Sequence, residues 1–266
     1  MGSERKRIDL LLTDKGLFPT RSAARAAVMA GLVTVDGRKV DKPGTMATEE
    51  AQIHVKELPR YVSRGGLKLE KALRQFSIHV TGKIVMDIGA STGGFTDCLL
   101  QAGAARVYSI DVGYGQLDWK LRQDERVVSM ERTNVRHLEP DQIPEPVDLA
   151  VVDVSFISLA LIFPVLVRFG VPEVVALVKP QFEVGKGRVG KKGVVRDPDD
   201  HLEVLLNAIR VAEHEGFTAI DLSYSPLRGP EGNIEYLLHL RTGEEITDVP
   251  APDCAAIVAE AHSTLT

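Results

Sequence analysis

Long apolar runs are missing from this 266-residue chain. The longest, Leu159 to Val167, is nine residues and contains Pro164, far short of the ~20 residues that a membrane-spanning helix requires. Met1 to Arg7 is charged and leads into no apolar core of signal-peptide type, so a cytoplasmic protein is expected. Cysteine is scarce. Cys98 and Cys254 provide neither a disulfide framework nor metal-ligand spacing, so no metal is expected, and Cys98 reads as a small buried apolar residue. An excess of positive charge is also lacking: 32 Lys and Arg stand against 37 Asp and Glu, a net of −5, which gives no global sign of a nucleic-acid partner. Repeats and low-complexity tracts are absent. What remains is an ordinary globular composition, 44% hydrophobic, long enough for one large domain and one small one.

The charge is unevenly spread. Residues 1–64 hold 12 Lys and Arg against 8 Asp and Glu, whereas the rest holds 20 against 29. A basic head on an acidic body suggests that the head meets a polyanion. Within the head, Ile8, Leu11 and Leu12 share one face of a helix from Arg7 to Lys15. Thr20 is placed to cap a second helix, Arg21 to Ala30, closed by Gly31. Leu32 to Val35 reads as a strand, Asp36-Gly37 as a hairpin turn, and Ala51 to Val55 as a last strand. The blocks Arg7-Ile8-Asp9, Leu12, Thr20-Arg21-Ser22, Ala24 and Ala30-Gly31 through Asp36-Gly37 resemble the small RNA-binding domain of ribosomal protein S-four, pseudouridine synthases and tyrosyl-tRNA synthetases. That resemblance implies contact with the backbone of structured RNA, with Lys6, Arg7, Arg21 and Arg25 as the candidate ligands.

From Lys83 onward strands alternate with helices, as a doubly wound sheet requires. Strands are predicted at 84–88, 106–111, 126–130, 148–152 and 174–178. Two more, at about 218–224 and 234–241, have no helix-length segment between them and should pair antiparallel. The fold class is therefore α/β, a Rossmann-like seven-stranded sheet, mostly parallel with one antiparallel strand, plus the small N-terminal α/β domain. The expected boundaries are 1–58 for the head, 59–65 for a linker and 66–266 for the body.

The most telling segment is Asp87-Ile88-Gly89-Ala90-Ser91-Thr92-Gly93-Gly94-Phe95-Thr96-Asp97. It ends an apolar strand and opens a helix, which places backbone N–H groups around a ligand. It has no lysine for a P-loop, and its glycine spacing is not that of the dinucleotide fingerprint. An acid two positions before the first glycine suits a ligand with a cationic end, such as the amino-acid part of S-adenosylmethionine. Asp111, ending the second strand, can accept ribose hydroxyls, and a hydroxyl-rich ligand gives a reason for an acid there. Asn134 can meet an adenine edge, and Phe95 can pack beside it.

The fourth strand ends in Asp153-Val154-Ser155-Phe156, without the prolines usual in enzymes that methylate exocyclic amines. The fifth ends in Lys179-Pro180-Gln181-Phe182-Glu183, and the last hairpin presents Asn233-Ile234-Glu235-Tyr236. Lys68, Asp153, Lys179 and Glu235 resemble the tetrad of FtsJ/RrmJ-type RNA ribose 2′-O-methyltransferases. The chain as a whole resembles the TlyA family of ribosomal RNA cytidine 2′-O-methyltransferases, also described as hemolysin-like, through Ser63-Arg64-Gly65-Gly66, Lys68-Leu69 and the blocks just given. The resemblance implies S-adenosylmethionine as cofactor, held by Ser63, Arg64, Asp87, Gly89, Ala90, Ser91, Thr92, Gly93, Gly94, Phe95, Asp111, Val112, Asn134 and Asp153. It implies ribosomal RNA or ribosomal subunits as partner and no membrane; the oligomeric state is left open, with a monomer favoured. In that reading Lys179 takes or steers the proton of the 2′-hydroxyl, Lys68 adds a second charge, and Asp153 and Glu235 fix the geometry. The glycine-rich stretch Glu183 to Pro198, with Lys186, Arg188, Lys191 and Lys192, reads as a mobile loop that follows RNA. Two other classes stay open: a catalytically silent ribosome-assembly factor and, against the sequence, a hemolysin.

Overall fold

The computed structural model describes residues 5–56, 59–185, 187–243 and 251–265. Lys186 lies outside the described residues, as does the side chain of Lys191. The chain divides between Arg60 and Tyr61 into two compact units.

The first unit begins with a strand, β1 (Arg5–Arg7), before helix α1 (Ile8–Asp14). Lys6 and Arg7 therefore lie on a strand and not on the expected helix. Helix α2 (Arg21–Met29) starts as predicted, with the Thr20 side chain accepting from Ala23 N, and Gly31 follows it at φ +68°. Strands β2 (Val33–Val35) and β3 (Arg38–Val40) form a hairpin whose turn residues, Asp36 and Gly37, both have positive φ, as a type I′ turn demands. Strand β4 (Met46–Thr48) pairs antiparallel with β1, and β5 (Ile53–Val55) with β2. Ile8, Leu11, Leu12, Ala24, Val28 and Val33 fill the core between these elements.

In the second unit α3 (Gly65–Gln75) precedes β6 (Ile84–Ile88), α4 (Gly94–Gln101), β7 (Arg106–Ile110), the single turn α5 (Trp119–Arg122) and β8 (Val127–Met130). Strand β9 (Leu149–Val152), α6 (Phe163–Arg168), β10 (Glu173–Val178) and the short α7 (Pro180–Glu183) follow. The chain closes with α8 (Pro198–His214), β11 (Thr218–Tyr224), β12 (Tyr236–Arg241) and α9 (Cys254–Leu265).

Seven strands form one sheet in the order β11-β12-β10-β9-β6-β7-β8. Strands β6 to β10 run parallel to one another, and β12 is antiparallel to both β10 and β11. Every residue of β9 is buried, as expected for a strand covered on both faces. Leu149 and Val151 join one core with Leu99 and Val107, and Ala150 and Val152 join the opposite core with Phe163 and Ile110. The strand order reverses between β6 and β9, and a crevice at the carboxyl ends of these strands is where such sheets hold ligands.

Candidate active site

The turn after β6 crosses the next strand at close range. Gly89 has φ +88°, and a Cβ there would lie 2.4 Å from the carbonyl oxygen of Asp153, at the end of β9. A Cβ on Gly94 would lie 2.2 Å from Ser63 Oγ and 2.9 Å from Gly66 N. These missing side chains let the start of α3 rest on the start of α4, which brings Ser63, Arg64 and Lys68 to the glycine turn.

Two cavities meet here. The larger, ≈ 720 Å³, includes Gly89, Ser91, Asp111, Val112, Asn134 and Asp153 in its wall. The smaller, ≈ 240 Å³, includes Ser63, Arg64, Lys68, Ala90, Thr92, Gly94, Phe95 and, again, Gly89, Ser91 and Asp153. Of the residues expected at the cofactor, Asp87 and Gly93 line neither. Gly93, at φ +94°, turns the chain into α4 against Leu117 and Leu121. Asp87 lies fully buried beneath the turn, where its Oδ2 accepts from Thr96 Oγ1 at 2.6 Å and Thr96 in turn meets Ser109 Oγ at 2.8 Å.

The electrostatics of the larger cavity are acidic. Burial, and then the neighbouring carboxylates of Asp153 and Asp111, push the Asp87 carboxyl up to about 7, although the Thr96 hydroxyl opposes this. Its Oδ1 is buried with no hydrogen-bond partner among the described residues. Asp111 spends part of each oxygen on the backbone, accepting from Ser91 N at 2.8 Å and Gly113 N at 2.6 Å. Asp111 and Asp153 put carboxylate oxygens in the cavity wall, with the Asp87 carboxyl beneath the turn, so the donor set is compatible with a sulfonium and an α-ammonium.

The tetrad is built from two ion pairs. Lys68 Nζ on α3 lies 2.5 Å from Glu235 Oε2, just before β12, and Glu235 is buried. Lys179 Nζ, at the end of β10, lies 2.6 Å from Asp153 Oδ1, off the angle of a directed hydrogen bond, and donates to Ser155 Oγ at 3.1 Å. Lys179 itself is buried. Since Lys68 and Asp153 line the same small cavity, the two pairs flank one crevice, and Asp153 belongs to both cavities.

Residues 61–242 match the family model of the FtsJ-like methyltransferases, and residues 6–53 match that of the S4 domain. The 16S/23S rRNA (cytidine-2′-O)-methyltransferase TlyA of Mycobacterium tuberculosis is 48% identical over 244 residues, covering 90% of this chain and 91% of its own. The chain belongs to the TlyA group of FtsJ-like methyltransferases. Bacillus subtilis YqxC, which carries an rRNA methyltransferase name, is 52% identical over 272 residues, 100% of this chain and 97% of its own. The solved structure of a Streptococcus thermophilus protein called a hemolysin superposes with a TM-score of 0.73 at 48% identity, covering 99% of this chain and 98% of that one. Hemolysin names thus occur within the same family.

Several cavity-lining residues escaped the sequence reading. Phe156, one of the block after β9, is 91% exposed at φ +64°, with its ring 4.8 Å from that of Phe182. An exposed aromatic held in a strained backbone beside the larger cavity is positioned to stack on a planar group. Its signal was its place in the strand-end block. Arg228 lines the small cavity and, with Arg196 and His262, a third crevice of ≈ 370 Å³. Neither arginine has a carboxylate partner among the described residues.

The expected RNA ligands separate into spent and available cations. Lys6 is paired with Glu49 at 2.7 Å and Asp14 at 3.4 Å. Arg188 is held by Glu203 at 2.6 Å and Asp200 at 3.0 Å. Arg25 and Lys192 are exposed. The stretch expected to be a mobile loop is bolted down at its second half: Val195 N donates to Asn233 Oδ1 at 3.0 Å, Asn233 Nδ2 donates to Gly193 O at 2.9 Å, and His201 Nε2 lies 3.1 Å from Val195 O. Among the described residues no helix is long and apolar enough to cross a membrane, and no cluster of metal-ligating side chains occurs.

Proposed function

We propose that this chain transfers a methyl group from S-adenosylmethionine to the ribose 2′-hydroxyl of a cytidine in ribosomal RNA. The observation that carries the reading is the pair of lysine–carboxylate contacts flanking one crevice, with Asp153 shared between that crevice and the acidic cavity. S-adenosylmethionine, when bound, supplies an electrophilic methyl on a sulfonium. Asp111 and Asn134 are placed for its adenosine, and Ser63, Arg64 and the Gly89–Phe95 turn for its amino-acid end. Asp87 supports that turn from below through Thr96.

A ribose hydroxyl is a poor nucleophile, and in-line displacement requires its oxygen, the methyl carbon and the sulfur to align, so positioning supplies much of the rate. Lys179, anchored by Asp153 and Ser155, is the group beside the hydroxyl that takes or steers its proton as the new O–C bond forms. Lys68, anchored by Glu235, fixes the far wall of the crevice and adds positive charge near the developing alkoxide. Phe156 offers a face for the base. The S4-type head supplies backbone affinity for RNA through its exposed arginines.

The test is mass mapping of ribosomal RNA from cells with and without the gene, with transfer of labelled methyl to isolated subunits by the pure protein. A 2′-O-methylcytidine that vanishes with the gene and is restored by the protein is expected. No labelled product on either subunit would defeat the proposal.

A further inference from the structure

Among the described residues of the head one carboxylate is fully buried, and it faces two arginines. Asp9, at the start of α1, has no solvent exposure. Its Oδ1 accepts from Arg7 Nε at 3.0 Å and Leu10 N at 3.1 Å, and its Oδ2 accepts from Arg7 Nη2 at 3.0 Å and Arg21 Nε at 3.0 Å. The donors come from three places in the sequence: β1, the first turn of α1 and the first residue of α2. Both arginine side chains remain nearly half exposed, 44% and 48%. Hydrogen bonds from Arg7 above all, then from Arg21, overcome burial and hold the Asp9 carboxyl at about 2, so it stays charged.

Two features sort the cations around this carboxylate. On β1 the side chains alternate, so Arg5 and Arg7 face outward together while Lys6 points to Glu49 and Asp14. Gly44 leaves room for the Arg7 guanidinium: a Cβ there would sit 3.2 Å from Nη1. Gly44 has an ordinary φ, so the space above it, and not its backbone, accounts for the missing side chain.

We propose that Asp9 is a positioning residue that locks Arg7 and Arg21 into a rigid two-guanidinium fork for one phosphodiester of the RNA. Unheld, two like charges this close would swing apart on flexible stems. The carboxylate takes Arg7 Nε and Nη2 and Arg21 Nε, so Arg7 Nη1, which lies over Gly44, and both terminal nitrogens of Arg21 make no hydrogen bond to it on half-exposed side chains. Two guanidiniums and one carboxylate leave a single positive charge, which one phosphate neutralises. Guanidinium geometry suits this task in a way that an ammonium does not. The inference rests on the reading of the chain as a ribosomal RNA methyltransferase and adds how its head grips the substrate.

The two arms of the test have opposite signs. Asp9→Asn removes a negative charge, so charge alone predicts tighter RNA binding, whereas the fork predicts weaker binding. With full-length protein and ribosomal subunits that lack the modification, Asp9→Asn is expected to weaken binding about tenfold and raise KM by a similar factor, with kcat at saturating RNA unchanged. In an Arg7→Lys/Arg21→Lys background the same change is expected to weaken binding no further. Arg21→Lys, which keeps the charge and the fold, is expected to weaken binding about fivefold, and Arg25→Lys less than about twofold. Should Asp9→Asn destabilise the head in a thermal melt, the comparison of Arg21→Lys with Arg25→Lys decides. Equal affinities for those two, or a folded Asp9→Asn protein that binds at least as tightly as the unaltered one, overturn the inference. An unaltered protein that neither binds nor methylates the subunits overturns the function as well, so the two failures are distinguishable.

Discussion

The two units use paired charge in opposite ways. In the head a carboxylate is buried and its two cations look outward, leaving positive charge at the surface. In the body Lys68 and Lys179 are themselves largely buried, each matched by one carboxylate, so the crevice approaches neutrality before substrate arrives. The first arrangement attracts a polyanion over a distance and says little about which nucleotide it belongs to. The second exerts almost no pull over a distance and is stiff, because each ammonium has a short contact in a low-dielectric setting where misplacement is costly. On the proposed function, affinity and chemistry would fall to different units according to which partner of the ion pair is hidden.

The largest expected effect breaks that division on the body side. Lys179→Ala, and Lys179→Arg with it, should reduce methyl transfer about 10³-fold at saturating donor and RNA, with RNA affinity kept within about twofold because no surface cation is lost. Parallel single-turnover and binding measurements check both halves. Full transfer by both variants would remove Lys179 from the mechanism. Next in size is the second pair. Lys68→Ala strands a buried Glu235 and should cost about 3–5 kcal/mol, read as a drop of roughly 10 °C in melting temperature. A Lys68→Met/Glu235→Gln protein should recover most of that stability while methyl transfer stays low. If stability and activity return together, the pair is structural only.

How much of this was legible follows from where the information lies. Strand ends were readable because apolar runs stop at Asp, Gly or Lys, and β6, β7 and β10 end within a residue of expectation. Strand β1 was not, since Arg5-Lys6-Arg7 has no apolar alternation and exists only through its partner β4, some forty residues away. Lys68, Asp153, Lys179 and Glu235 could be singled out from their blocks, but not that Lys68 pairs with Glu235 and Lys179 with Asp153. Nor could the sequence tell spent cations from available ones, because Lys6 meets Glu49 and Arg188 meets Glu203 only after folding. Asp87 was readable as an acid before the glycine turn, whereas its burial beneath the turn was not.

That buried acid sharpens the comparison, because unlike Asp9 it has no cation. A carboxyl raised to about 7 in the fold keeps a proton that the unfolded chain has released from about pH 4 upward. Stability should therefore fall as pH rises from about 4 to about 7 and then level off, by up to roughly 4 kcal/mol. Asp87→Asn should raise the melting temperature at pH 8 and change it little at pH 4, while weakening S-adenosylmethionine binding. Asp9, held at about 2, has the opposite sign: its contribution is present above about pH 4 and lost as pH falls through 2. Calorimetric melts across pH 4–8 check the prediction, and a flat difference between Asp87→Asn and the unaltered chain would refute it.

The smallest effect separates charge that is counted from charge that is available. Arg188 donates to both oxygens of Glu203 and to Asp200, so its charge is already compensated on α8. Arg25 is exposed on the same face of α2 as Arg21, four residues on. If RNA affinity comes from releasing counterions, only an unpaired cation contributes to the dependence on salt. Arg25→Gln should flatten the slope of log K against log salt by about one unit if Arg25 meets a phosphate, and Arg188→Gln should leave it unchanged. Equal slopes for the two variants would mean that pairing within the fold does not decide which cations RNA uses, and the contrast between head and body would lose its electrostatic basis.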